Sequence, residues 1–146
     1  MKKTLVIGYG NTLRGDDGAG IVAVGLLKNI YPQFQFLTLH QLTPELIQTI
    51  SNYEAVYFID ASIEVSVITQ VKLQPEISTE ILNTHFVSPQ NILNACLHLY
   101  GRVPDVIILF HIPAYEFDVS EELSISVQER LKEFINYFTA SVEVSH

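Results

Sequence analysis

The apolar residues form two kinds of pattern, which alternate along the chain. One is a short continuous run, and the other is a series of apolar positions with helical spacing. The short runs, rich in β-branched and aromatic residues, predict strands at residues 5–7, 34–39, 55–59, 65–73 and 106–110. A continuous apolar run is typical of a parallel strand that is buried on both faces. The pattern therefore predicts about five strands in a mostly parallel, twisted sheet.

Two helices are predicted in the first third of the chain. Residues 21–30 are apolar nearly all round, which predicts a helix that is buried. Thr43 and Pro44 form an N-cap followed by a proline at the first helical position, which predicts a short helix from Pro44 to about Ile50.

The second half of the chain predicts two further helices. Ser88 and the proline after it begin one helix, and Gly101 stands where such a helix ends. Ser126-x-x-Glu129 has the form of a capping box ahead of an amphipathic helix, whose apolar positions are 127, 131, 134, 135 and 138. Residues 74–86 show no clear period and are predicted to be an irregular connection.

Strands that alternate with helices, without an internal repeat or a linker, predict one α/β domain over residues 1–146 with three layers, α/β/α. In such folds the functional site lies at the carboxyl ends of the strands. We therefore expect the chemistry just after Ile7, Ile59, Leu73 and Phe110.

The charge balance narrows the range of partners. The formal net charge is −8, which argues against binding to nucleic acid or to anionic membranes. The single cysteine, Cys96, excludes an intramolecular disulfide and any multi-cysteine metal site within one chain. No apolar run is long enough to span a membrane and the N-terminal run is too short for a signal peptide, so we expect a soluble, cytoplasmic protein.

A glycine-rich loop, GYGNTLRGDDGAG at residues 8–20, separates the first strand from the first helix. It begins like a dinucleotide-binding fingerprint, but the third glycine is out of place. Asp16 and Asp17 also stand where a phosphate would have to bind, and carboxylates at this point attract a cation instead. The structural alternative is that one aspartate caps the helix while the other faces solvent.

Asp60 ends a buried apolar strand, where a lone ionised carboxylate is costly unless it is paired or binds a metal. With Asp17 and His85, which lies in the irregular segment, it would form an open three-ligand site for nickel or zinc. The structural alternative for Asp60 is a turn residue. His111 also follows a strand, where it could be an ordinary half-buried residue, and Cys96 falls on the apolar face of its helix.

Three motifs in order carry a family resemblance: the loop at residues 8–20, Phe58-Ile59-Asp60-Ala61, and Thr84-His85 ahead of the helix that begins at Pro89. Together they resemble the nickel–iron hydrogenase maturation endopeptidases over essentially the whole chain. The most specific part is the Gly-x-Gly-Asn-x-x-x-x-Asp-(Asp/Glu)-x-x-Gly loop.

The resemblance implies an aspartate-dependent protease that removes a C-terminal extension from the hydrogenase large-subunit precursor once nickel has been installed. It also implies that Asp17, Asp60 and His85 are the catalytic and nickel-sensing residues, and that the nickel belongs to the substrate. An alignment without a gap on Ser88 pairs the family's histidine with Gln90 instead, but glutamine is a poor nickel ligand. We expect the protein to act as a monomer.

Two other functions remain open at this stage. A signalling receiver domain also has an α/β sheet with an acidic pair near its first strand. A non-catalytic nickel carrier could use the same three ligands.

Overall fold

A computed structural model of the chain describes residues 2–76 and 87–145. Within them lies one five-stranded sheet with the strand order β2-β1-β3-β5-β4. The first four strands in that order are parallel to one another, and β4 runs antiparallel along the edge. The strands are β1 (Thr4–Tyr9), β2 (Gln35–Leu39), β3 (Ala55–Ser62), β4 (Thr69–Lys72) and β5 (Val106–Pro113).

Helices cover both faces of the sheet, which confirms the three-layer α/β/α prediction. One face packs against α1 and α4, and the other packs against α2 and α3. A 3₁₀ turn, Gly15–Gly18, precedes the first helix. The helices are α1 (Ala19–Ile30), α2 (Leu46–Ile50), α3 (Pro89–Tyr100) and α4 (Ile125–Ser145).

The fourth strand differs most from the sequence prediction. Only Thr69–Lys72 of the predicted residues 65–73 form a strand, and because β4 is antiparallel, Leu73 lies toward the opposite end of the sheet from the candidate site. This topology also removes the receiver alternative, since receiver-type folds have the parallel order 2-1-3-4-5.

The predicted start is correct for helix α3 and wrong for helices α2 and α4. Ser88 caps α3, its hydroxyl accepting a hydrogen bond from the Asn91 N–H, and Gly101 ends that helix in the left-handed conformation, as expected. The capping box at Ser126 is wrong. Helix α4 begins at Ile125, two residues earlier than a Ser126 cap predicts, and the Ser124 hydroxyl accepts a hydrogen bond from the Val127 N–H. Helix α2 also begins later than predicted, because Pro44 lies in the turn that precedes it.

The predicted apolar faces are correct for α4 and only partly correct for α1. Val127, Leu131, Phe134 and Phe138 are buried on α4 as expected. Helix α1 was expected to be buried all round, but it exposes one apolar stripe, Val22, Leu26 and Ile30, because a single sheet face covers only one side of it. Within residues 2–76 and 87–145, none of the helices has the length and apolar character that crossing a membrane requires.

Candidate functional site

The loop after β1 brings Asp17 back against the end of that strand. The Asn11 N–H donates a 2.7 Å hydrogen bond to Asp17 Oδ2. Gly10 has φ +147°, and a Cβ at this position would collide with the Asp17 carbonyl oxygen. Only glycine permits this close approach, so the second glycine of the Gly-x-Gly-Asn motif is explained by the position of Asp17.

Asp16 points away from this site and has a structural role. It is fully buried and accepts hydrogen bonds from the N–H groups of Tyr115, Glu116 and Ser124 at 2.7–2.8 Å, and from the Ser124 hydroxyl at 2.9 Å. Burial raises the pKa of Asp16, but these hydrogen bonds outweigh it and hold the pKa below its ordinary value. Asp16 therefore fastens the loop to the start of α4, and neither Asp16 nor Asp17 caps α1.

Asp60 lies at the carboxyl end of β3, one residue before Ala61, and it is only half-buried. Its pKa is raised to about 6, mainly by burial, and the charge of Asp17 acts in the same direction. The Tyr9 hydroxyl and the Ala61 N–H donate hydrogen bonds to the carboxylate, which act in the opposite direction. The phenol of Tyr9 keeps its proton, since burial and the carboxylate both raise its pKa.

The structure therefore places Asp17 and Asp60 at the same end of the sheet, close enough for their charges to interact. A cleft of about 530 Å³ opens beside them, lined by Arg14, Asp17, Ala61, Ser62, Ile63, Glu64 and Phe117. Asp17 lines this cleft, and so does Ala61, the residue after Asp60. The charges of Asp17 and Asp60 repel each other, and a bound cation would stabilise such an arrangement.

The third predicted ligand, His85, lies outside the described residues. Gln90, the alternative to it, uses its side-chain N–H groups for hydrogen bonds to the Gln74 carbonyl (2.8 Å) and to Asn94 Oδ1 (2.9 Å), so it serves the local fold. Cys96 is buried, as expected, and its thiol donates a hydrogen bond to the Arg102 carbonyl.

Two further side chains of this region were not assigned to the site from the sequence. Tyr9 carries no sequence signal, because only the folded strand brings its hydroxyl to Asp60. His111 is level with Asp60 on the neighbouring strand β5. No group of three or more His, Cys, Asp or Glu side chains in the part of the chain that the structure describes is arranged to hold a metal ion.

The fold and this pair of carboxylates define an α/β protein with an acidic site at the strand carboxyl ends. No protein-family model matches the chain, and no curated protein matches it in sequence. Solved structures do match it. The hydrogenase maturating endopeptidase HybD from E. coli has a TM-score of 0.76 at 19% identity, covering 98% of this chain and 93% of that one.

Two archaeal structures give a similar result. The [NiFe] hydrogenase maturation protease HycI from Thermococcus kodakarensis has a TM-score of 0.68 at 22% identity, covering 94% of this chain and 90% of that one. A hydrogenase 2 maturation peptidase from a Thaumarchaeota archaeon has a TM-score of 0.69 at 22% identity, covering 97% and 99%. At these identities the likeness establishes a shared fold, which confirms the resemblance at that level, and the names of these neighbours are consistent with a hydrolase.

Proposed function

We propose that this protein is an endopeptidase that removes the C-terminal extension of a nickel–iron hydrogenase large-subunit precursor after nickel insertion. The observation that carries the proposal is a fold shared over nearly the whole chain with structures named as hydrogenase maturation proteases. The carboxylates of Asp17 and Asp60 support the proposal, because their charges interact and they lie at the strand carboxyl ends, where the functional sites of α/β sheets are found.

The proposed roles follow from the chemistry of these side chains. Asp17, Asp60 and His85 bind the nickel that the precursor already holds, so the metal is part of the substrate. Binding the metal also places the scissile bond beside the two carboxylates, which makes recognition and positioning a single event. We further propose that the protein acts as a monomer in the cytoplasm, where a lone buried thiol such as Cys96 remains reduced.

The test is incubation of the purified protein with nickel-loaded and nickel-free precursor, with the C-terminus of the product read by mass spectrometry. We expect one cut in the nickel-loaded precursor and none in the nickel-free form. Asp17→Asn should abolish the cut, whereas Asp118→Asn, an exposed aspartate on the loop after β5, should leave it unchanged.

The remaining rival, a nickel carrier, gives the opposite result in the same experiment. A purified protein that holds stoichiometric nickel without substrate, and that leaves the loaded precursor intact, would favour the carrier and overturn the protease.

A further inference from the structure

Strand β3 runs further than its neighbour β1 at the carboxyl end of the sheet. The last pair between these two strands is Gly8 with Ile59, whereas β3 stays paired with β5 as far as Ser62. In the part of the chain that the structure describes, Ala61 and Ser62 therefore have a partner strand on one side only. On their other side β1 has ended and its loop begins.

The backbone of Ala61 is directed to this open side. In an extended strand the N–H and C=O of one residue point the same way, and those of the next residue point the opposite way. The Ser62 carbonyl accepts a hydrogen bond from the Ala114 N–H, which is on the side of β5. The Ala61 carbonyl therefore points away from β5, to the side where β1 has ended.

The cleft of the candidate site lies along this open stretch of β3. Ala61 and Ser62 line it, together with Arg14 and Asp17 from the loop after β1. Ile63 also lines the cleft, and 70% of its surface is exposed, so it offers an apolar surface to a ligand. The volume of about 530 Å³ is typical of a site that holds a ligand. Space, an open strand edge and an apolar wall thus occur together beside Asp17.

Arg14 brings a free cationic side chain to the same cleft. The other arginines have partners, since Arg130 forms an ion pair with Glu133 and Arg102 donates a hydrogen bond to the Ser51 carbonyl. The Arg14 side chain forms neither an ion pair nor a hydrogen bond with any residue that the structure describes. Its guanidinium is therefore available to acceptor oxygens from outside the fold.

The backbone around Arg14 is fixed, so this free side chain starts from a defined place. The Ser120 N–H donates to the Leu13 carbonyl, and the Ser120 carbonyl accepts from the Gly15 N–H, which forms a short bridge around Arg14. Gly15 has φ +52°, and a Cβ there would meet the Glu116 carbonyl oxygen at 2.6 Å. A donor that is positioned in this way loses little entropy when it binds a ligand.

We propose that this cleft binds the C-terminal extension of the precursor as an extended segment, added to the open side of β3. This inference rests on the proposed function. There, the nickel-bound part of the precursor is held at Asp17 and Asp60, so the chain beyond the scissile bond continues into the cleft that begins at Asp17. The Ala61 carbonyl accepts a hydrogen bond from a main-chain N–H of the extension, as in other peptides that add a strand to a sheet edge. Arg14 donates to carbonyl oxygens of the extension, and Ile63 packs against one of its apolar side chains.

The first test measures how Arg14→Gln and Ile63→Ser cut the nickel-loaded precursor. The controls are Lys28→Gln and Val144→Ser, near the C-terminal ends of α1 and α4, and all four side chains are exposed, so each variant should keep the parental Tm. Arg14→Gln and Ile63→Ser should each raise KM about tenfold and leave kcat within about twofold, because both side chains contact the extension and not the scissile bond. The controls should keep the parental KM.

The outcomes of this test separate the inference from the proposed function. Parental KM values in both Arg14→Gln and Ile63→Ser would overturn the inference and leave the proposed function standing. Failure of the parental protein to cut would instead overturn the proposed function. Should either variant fail to fold, the second test decides, because it uses the parental protein alone.

The second test replaces single residues of the extension with proline, from the second residue after the cut onward. Proline lacks the N–H that would donate to β3, and only alternate residues of an extended segment direct their N–H to the neighbouring strand. Proline should therefore raise KM at one position or at positions two apart, and not at adjacent positions. Equal sensitivity at successive positions, or no sensitivity at any, would overturn the added strand.

Discussion

The environment of Asp60 in the folded protein opposes the ionisation of its carboxyl group. Burial and the charge of Asp17 raise its pKa from an ordinary 3.8 to about 6. The folded protein therefore holds this proton more tightly than the unfolded chain does. It follows that the contribution of Asp60 to stability is greatest below its unfolded pKa and is lost as the pH rises through about 6.

Asp60→Asn should consequently stabilise the protein at neutral and alkaline pH. Asparagine can still accept the hydrogen bonds from Tyr9 and Ala61 but carries no charge. A shift of this size corresponds to roughly 3 kcal/mol between protonation states, so a net gain on the order of 1–2 kcal/mol and a few degrees in Tm is expected at about pH 8. Melting curves near pH 4 should show almost no difference. Asp60→Asn should also fail to cleave the nickel-loaded precursor. If it cleaves the precursor at the parental rate, Asp60 is only a turn residue.

Tyr9 affects the pKa of the same carboxyl group, that of Asp60. Its hydroxyl donates to Asp60 and so lowers the pKa of that group, which means that Tyr9→Phe should raise the pKa further. Since a protonated carboxyl binds cations poorly, the fall in cleavage rate on acidification should begin at a higher pH in Tyr9→Phe. Tyr100→Phe, an exposed tyrosine on α3, is the matched control. Coincident pH profiles for Tyr9→Phe and the parental protein would contradict the role of this hydrogen bond.

Among the elements, the start of α4 is the clearest place to test the structure against the sequence pattern. The Ser124 hydroxyl accepts from the Val127 N–H and donates to Asp16, whereas Ser126 lies within the helix. Ser124→Ala should therefore cost about 1–2 kcal/mol of unfolding free energy, and Ser126→Ala less than about 0.5 kcal/mol. Urea unfolding of the two variants measures these free energies. A larger loss in Ser126→Ala than in Ser124→Ala would show that Ser126 caps the helix.

The 3₁₀ turn and the loop after β5 are held together by Asp16. Asp16→Ala would remove the buried acceptor of the N–H groups of Tyr115, Glu116 and Ser124, which should cost roughly 3–5 kcal/mol. That corresponds to a fall in Tm of about 10 °C or more. Thermal unfolding of Asp118→Ala, an exposed residue of the same loop, should match the parental protein. A similar small effect in both variants would show that the loop is held by other contacts.

For the molecule as a whole, the arrangement of its ligands predicts a weak affinity for free nickel. No three-ligand group is assembled in residues 2–76 and 87–145, and ordering ligands on binding reduces metal affinity. Calorimetric titration of the protein with nickel chloride should give a dissociation constant in the micromolar range or weaker. Nickel-free precursor should remain uncut at any protease concentration. Nanomolar affinity or efficient cutting without nickel would each contradict a site completed by the substrate.

The sequence by itself determined the elements and the fold class. Continuous apolar runs, the Ser88 cap and Gly101 are local signals, and local signals define where α3 and the central strands lie. The loop at residues 8–20 likewise indicated a carboxylate site after β1, because Asp16 and Asp17 stand where a nucleotide-binding loop would hold a phosphate.

Only the tertiary structure decided which acid serves the fold and which faces the site. Asp16 and Asp17 are adjacent and chemically identical, and they are told apart only by residues about 100 positions away, at Tyr115 to Ser124. The tertiary structure also decided the antiparallel direction of β4, the hydrogen bond from the Tyr9 hydroxyl to Asp60, and the position of His111 level with Asp60 on the neighbouring strand. Each depends on which strands become neighbours, and strand pairing is a long-range choice that a local pattern does not encode.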